Sequence, residues 1–160
     1  MGLLLPYAGR YTFVGLSIKP ANLKDLPLLG EIRRNAIMAQ PETFWTFEEK
    51  CKAADAWETM DVQNNFELYK LFLNENDSAF IGWKQNYLGY LFILPEAQGK
   101  GIGDKLLKLA EAEISKEHNY IWLYAHPYSE RFYQKHGYVK QRETENPFGT
   151  TLLHKFQKNF

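Results

Sequence analysis

Charge of one sign, cysteine and long apolar runs are all scarce in this sequence, and each scarcity narrows what the protein can be. Lys plus Arg number 19 and Asp plus Glu also number 19, with no block of like charge. A protein that grips nucleic acid by neutralising phosphates usually carries a basic excess, so no nucleic-acid partner is expected. The single cysteine, Cys51, excludes an internal disulfide. No ligand-type residues stand near it at metal spacing, and no metal is expected. The apolar run in MGLLLPYAGR stops at Pro6. It is too short for a signal peptide or a membrane span, and Pro6 stands where a myristoylation signal carries Ser or Thr. The expectation is a reduced, cytoplasmic protein with no membrane partner.

What is present is a chain of 160 residues, 45% hydrophobic and 24% charged, long enough to bury a proper core as one domain over residues 1–160. No linker, repeat or low-complexity segment interrupts it. GLSIKP reads as a first strand ending at Pro20, and ANLKDLPLLGEIRRNAIM as a helix. Leu26, Leu29, Ile32 and Ile37 form its apolar stripe, with Glu31, Arg33 and Arg34 placed elsewhere. After Pro41 a shorter helical region, TFWTFEEKCKAADAWETM, is rich in aromatics. FELYKLFL, NEND and SAFIGW read as a hairpin, and NYLGYLFIL as a covered central strand, apolar on both faces. Ile102 to Glu117 is helical, with Ile102, Leu106, Ala110 and Ile114 on one stripe. YIWLYA is a buried strand, SERFYQKHG a short helix closed by Gly137, and YVKQRE with TTLLHKF a final strand pair. The reading is an α+β protein whose sheet carries helices on its faces.

The stretch LFILPEAQGKGIGDKLL places Gly99, Gly101 and Gly103 at alternate positions just before a helix. Glycine permits positive φ and close approach to the backbone. Three of them there expose successive N–H groups next to the positive end of the helix dipole, which is a site for a phosphate. The alternative is a plain strand-to-helix turn. Two known phosphate loops do not match. The dinucleotide fingerprint started at Gly99 requires Gly or Ala where Asp104 stands, and in the P-loop pattern Lys100 would have to precede Ser or Thr rather than Gly101.

Gln98, Gly101 and Gly103 do fit the spacing Gln-x-x-Gly-x-Gly after a strand that ends at Pro95. In this the chain resembles the GCN5-related N-acetyltransferase (GNAT) family, whose acetyl-CoA loop reads Gln or Arg, two residues, Gly, one residue, Gly or Ala. FYQKHGY, with Phe132-Tyr133 and Gly137-Tyr138, resembles the family's second signature. The resemblance runs from about Leu16 to the C-terminus and is weakest in the two N-terminal helices.

The resemblance implies an acyl-CoA N-acyltransferase fold: a mixed, mostly antiparallel sheet of about seven strands, helices on both faces, and splayed fourth and fifth strands. Those are Tyr87 to Leu94 and Tyr120 to Ala125. The pantetheine arm of acetyl-CoA, the cosubstrate, would lie in the gap like an added strand on Leu91, Phe92 and Ile93. The pyrophosphate would sit on the N–H groups of Gly99, Lys100, Gly101, Ile102, Gly103 and Asp104, with Gln98 beginning the motif. Asp104 departs from the small or basic residue often found there, and its carboxylate is expected to face solvent.

The implied reaction is transfer of an acetyl group to a primary amine by direct attack, with a backbone N–H near Phe92 holding the oxyanion. No acyl-enzyme on Cys51 is expected. Tyr133 holds the position of the family's general acid, and a packing role is the alternative. His126 is one candidate base; Tyr90, Glu31 and a water relay are others, while His118, His136 and His154 read as solvent-facing. Phe44, Trp45 and Phe47 stand either in the acceptor wall or in the core. The acceptor is not specified by the sequence. A catalytically silent acyl-CoA sensor on the same fold is the other function class, and a homodimer is a partner the resemblance allows.

Overall fold

The computed structural model describes residues 10–13 and 15–160; the N-terminal segment read above as neither leader nor span lies outside the described residues. Eight strands form one sheet: β1 (Tyr11–Phe13), β2 (Leu16–Pro20), β3 (Lys70–Asn74), β4 (Ala79–Lys84), β5 (Tyr87–Ile93), β6 (Tyr120–Ala125), β7 (Val139–Asn146) and β8 (Gly149–Asn159). Their order across the sheet is β1-β2-β3-β4-β5-β6-β8-β7. Neighbours run antiparallel except β5 and β6, which are parallel. The helices are α1 (Leu26–Met38), α2 (Phe47–Asp55), α3 (Ile102–Ile114) and α4 (Glu130–Lys135). The mixed α+β sheet is as expected, with eight described strands rather than about seven. The addition is β1, whose three residues are too short to show a period of two.

Alternation along β4 divides the core. Ala79, Ile81 and Trp83 join the cluster of Leu106, Leu107 and Ala110 from α3, while Phe80 joins Leu29 and Ile32 from α1 on the other face. Successive strand side chains point to opposite faces, so one central strand glues a helix layer to each side. In β5 the same rule breaks once. Leu88 belongs to the α3 cluster and Tyr90 to the α1 cluster, although two residues apart should share a face. The register explains it: Gly82 opposes Tyr90 and Trp83 opposes Leu88, leaving Gly89 as an extra residue. This β-bulge reverses the parity of everything after it and bends the strand.

The bend opens the sheet. β5 and β6 share a single register pair, Tyr87 with Trp122, supported by the Trp122 N–H donating to the Asn86 carbonyl at 3.1 Å. Beyond it the strands diverge. Leu91, Phe92 and Ile93 are therefore half-buried, not covered on both faces as the apolar sequence suggests.

Local signals set most helix ends. Thr46 and Glu49 form a capping box that starts α2. Gly137, at φ 88°, closes α4: the Gly137 and Tyr138 N–H groups donate to the carbonyls of Gln134 and Tyr133. Three boundaries differ from the sequence reading. Phe66–Leu68 is a 3-10 turn rather than the start of a strand, the first helix begins as a 3-10 turn at Leu23–Asp25, and α3 ends at Ile114. A further difference is chemical. Arg33, assigned to the outer side of α1, is buried at 3% exposure, four residues from both Leu29 and Ile37 on the apolar stripe.

Candidate active site

Two cavities meet where the sheet splits. The larger, about 790 Å³, runs from Leu91–Ile93 along the loop Gln98–Asp104 to α4. The smaller, about 190 Å³, is enclosed by α1, the bulged part of β5, the end of β6 and the β7–β8 turn. Both are lined by Leu91, Phe92, Ser129 and Tyr133, so Tyr133 stands at their junction.

The larger cavity takes its form from the glycine loop. Gly99 and Gly101 adopt φ 75° and 78°, left-handed values that glycine alone tolerates freely. Gly101 is the N-cap of α3, and its carbonyl accepts from the Lys105 N–H at 3.2 Å. The N–H groups of Ile102, Gly103 and Asp104 lie in the first turn, where no intrahelical acceptor exists. They point to the mouth of the groove with the helix dipole behind them. Gly103 serves a different end: a Cβ there would come within 2.9 Å of Ile93 Cδ1 and 3.4 Å of the Phe132 ring, so its smallness seats α3 against β5 and α4. Gln98 turns back, its amide donating to the Ile93 carbonyl at 3.1 Å, and ties the loop to the strand end.

Hydrogen bonding decides which β5 amides face the gap. The Leu94 N–H donates to the Ser78 carbonyl at 2.8 Å, on the β4 side. Antiparallel alternation then turns the Phe92 N–H to β4 as well, and leaves those of Leu91 and Ile93 facing the gap. Phe92 enters the site through its ring, which lies 5.6 Å from the Arg33 guanidinium.

Asp104 does not simply face solvent. Its carboxylate bonds His136 Nε2 at 2.6 Å and Lys108 Nζ at 3.1 Å, with the side chain 39% exposed. Burial would raise its pKa, but the His136 and Lys108 bonds outweigh this and hold it below the usual carboxylate value. The acid is thus neutralised beside the loop. His136 also bonds the Phe132 carbonyl at 2.7 Å. It and His154, expected at the surface, are both largely buried, because each bridges elements: His154 sits between Glu130 and Glu143.

Tyr133 is 8% exposed and edge-on to Phe132 and Tyr138. Among the described residues its hydroxyl has no hydrogen-bond partner, and burial pushes its pKa well above the ordinary value. It keeps its proton at neutral pH. His126 behaves in the opposite sense from a base. Burial lowers its pKa to about 4, against a smaller upward pull from Glu49. Its Nδ1 accepts from the Tyr128 N–H at 3.3 Å, which leaves the proton on Nε2, buried and unbonded. His126 therefore lines the smaller cavity as a neutral ring whose Nε2–H is closed off from the open space.

The fold favours neutral His126, so its contribution to stability is complete above the unfolded value of about 6.5 and is lost as pH falls towards 4. Denaturant titrations across that window are expected to show stability falling with pH, with a shallower slope in His126→Gln. An equal slope in the variant would assign the effect elsewhere.

The other sequence candidates separate. Trp45 lines the smaller cavity, its ring centroid 4.4 Å from that of His126. Phe44 and Phe47 are exposed at 39% and 59%. Glu31 is exposed and lines neither cavity; Tyr90 lines the smaller one, and burial raises its pKa, so its hydroxyl keeps its proton. Cys51 lines neither cavity. Sequence reasoning missed Arg33, Gln40, Glu49 and Asn146. Only Arg33 carried a readable signal, a charge on the apolar stripe of α1. Among the described residues no cluster of potential metal ligands occurs, and no helix is long and apolar enough to cross a membrane.

Comparison with known proteins agrees with this geometry. Residues 35–158 match the family model described as an acetyltransferase (GNAT) domain. Among solved structures, a GCN5-related N-acetyltransferase from Rhodopseudomonas palustris superposes with a TM-score of 0.78 at 15% identity, covering 89% of this chain and 94% of that one. The PaiA N-acetyltransferase from Thermoplasma acidophilum, in complex with coenzyme A, gives 0.74 at 21%, covering 91% and 99%. The YncA protein of Salmonella typhimurium, with its cofactor acetyl-CoA, gives 0.61 at 16%, covering 90% and 93%. No curated protein matches the sequence.

Proposed function

The chain belongs to the GNAT acetyltransferase family, and from that premise we propose that it moves an acetyl group from acetyl-CoA to a primary amine by direct attack. The observation that carries this reading is the junction at Tyr133. A long groove ending on unpaired helix N–H groups meets a second, smaller cavity there. Two related structures hold CoA and acetyl-CoA, and the groove offers matching groups. Leu91 and Ile93 supply strand-like amides for the pantetheine arm. The loop Gly99 to Asp104, Lys100 included, cradles the pyrophosphate, with Gln98 bracing it against β5.

In the reaction the neutral amine attacks the thioester carbonyl. A C–N bond forms, the C–S bond breaks, and the amine's surplus proton leaves to water. The gap-facing N–H of Leu91 or Ile93 holds the oxyanion, in place of an amide at Phe92 itself. Tyr133 donates its proton to the departing thiolate and regains one from solvent. His126 stays neutral beside the acceptor and takes no proton from it. The enclosed cavity disfavours an ammonium ion, which aids entry of the neutral amine. Cys51, away from both cavities, takes no part.

Calorimetric titration with acetyl-CoA and CoA, followed by mass detection of products from an amine library, tests the assignment. Micromolar binding with an acetylated product is the expected result. Binding without product from any amine would favour an acyl-CoA sensor, and absence of binding would reduce the glycine loop to a turn.

A further inference from the structure

Six buried side-chain nitrogen or oxygen atoms among the described residues take no hydrogen bond: Arg33 Nε, Gln40 Oε1, Trp45 Nε1, Glu49 Oε2, His126 Nε2 and Asn146 Nδ2. Five of these six residues line the smaller cavity. The sixth, Glu49, does not line it, but its charge acts on His126. An unbonded buried polar group costs roughly 1–3 kcal/mol. Misfit would scatter such costs through the core. Gathered around one cavity yet closed off from its open space, they can bond a ligand only when the side chains that carry them turn towards it.

Among the five residues that line the cavity, hydrogen-bond donors predominate. Arg33 Nε, Trp45 Nε1 and His126 Nε2 carry hydrogens. So does Asn146 Nδ2, because Asn146 Oδ1 already accepts from the Phe148 N–H at 2.9 Å. Gln40 is the one of the five with an unbonded oxygen; Glu49 Oε2, the other unbonded oxygen, belongs to a residue off the lining. The wall therefore seeks a hydrogen-bond acceptor.

Charge narrows it further. Arg33 is 3% exposed; its Nη1 donates to the Ala53 carbonyl at 2.6 Å and its guanidinium lies near the Phe92 ring. Among the described residues no carboxylate pairs with it. Burial draws its pKa down to about 10, so it remains cationic at neutral pH. A buried charge without a partner is strongly unfavourable. Lys50, the other buried cation, has no such need: its Nζ donates to the Met38 and Gln40 carbonyls at 3.2 and 2.8 Å, at the end of α1. Glu49 Oε1 accepts from Thr46 in the α2 cap, while its Oε2 stays unbonded.

Resting on the acetyltransferase reading above, we infer that the acceptor is a small primary amine bearing a carboxylate, which Arg33 and the N–H donors of the cavity wall hold while the amine faces Tyr133. A cavity of about 190 Å³ suits a compact molecule. A polyamine would leave the donors unmet and bring further positive charge beside Arg33.

Matched acceptors test this on the whole protein. Each of the common amino acids is offered with saturating acetyl-CoA beside its α-carboxamide and its decarboxylated amine. Acetyl-CoA affinity is measured separately by calorimetry. The expected result is at least one amino acid with kcat/KM about tenfold or more above both analogues, since loss of one buried charge partner is worth at least this much. Arg33→Lys, which keeps the charge but loses the planar fork, is expected to raise KM for that amino acid about tenfold at unchanged acetyl-CoA affinity. Should acetyl-CoA bind while the neutral analogues match the acids, or while no amino acid reacts, this inference falls and the acetyltransferase assignment stands or falls on the wider amine library. Failure to bind acetyl-CoA would overturn both.

Discussion

Gly101→Val is expected to abolish acetyl-CoA binding in a protein that still folds. A Cβ at Gly101 would meet nothing within 4 Å, so crowding is not the cause. The cause is the backbone: φ is 78°, where a β-branched residue is a severe outlier. Valine relaxes only by swinging the peptide out of the left-handed region. That moves the N-cap of α3 and misaims the Ile102, Gly103 and Asp104 N–H groups together. Because the loop is at the surface, the core clusters on either side of the sheet are untouched. Circular dichroism should report a native spectrum while calorimetry loses its heat signal. Unaltered affinity would sink the assignment of the loop to the pyrophosphate.

Tyr133→Phe is expected to lower kcat about a hundredfold or more with CoA affinity nearly intact, since a positioned general acid contributes about 10²–10⁴. The ring stays and only the hydroxyl leaves, so the packing with Phe132 and Tyr138 is retained. The pH profile supplies a second signature. The protonated form is the active one, and burial moves its loss to higher pH. The wild-type rate should therefore hold past pH 10, where an ordinary tyrosine would already be losing its proton. Equal losses in kcat and CoA affinity would make Tyr133 a binding residue instead.

The sequence made the loop legible because its residues answer to local rules. Positive φ at Gly99 and Gly101 and the start of α3 at Ile102 need no tertiary partner to be read. The closure of α4 at Gly137 is local in the same way. What stayed hidden depends on pairing across distance. Gly89 looks like any strand glycine until Gly82 and Trp83 are seen opposite Tyr90 and Leu88. His154 reads as a polar surface residue until β8 is known to lie between β6 and β7. The wall of the smaller cavity gathers Arg33, Trp45, His126 and Asn146 from segments up to more than a hundred residues apart in the chain, and no spacing rule reaches that far.

The single register pair between β5 and β6 has a consequence for solubility. A sheet split in its middle exposes unpaired amides and carbonyls, as the rim of any sheet does, and such rims recruit strands from other molecules and seed aggregates. Here the rim is recessed. Ala36 of α1 and Gln40 just beyond its end stand on one side of the opening and Phe132 and Tyr133 of α4 on the other. Side chains thus flank the opening on both sides instead of leaving the strand edges bare. Flanking of this kind is expected to keep one copy of the protein from pairing its open β5 edge with that of the next.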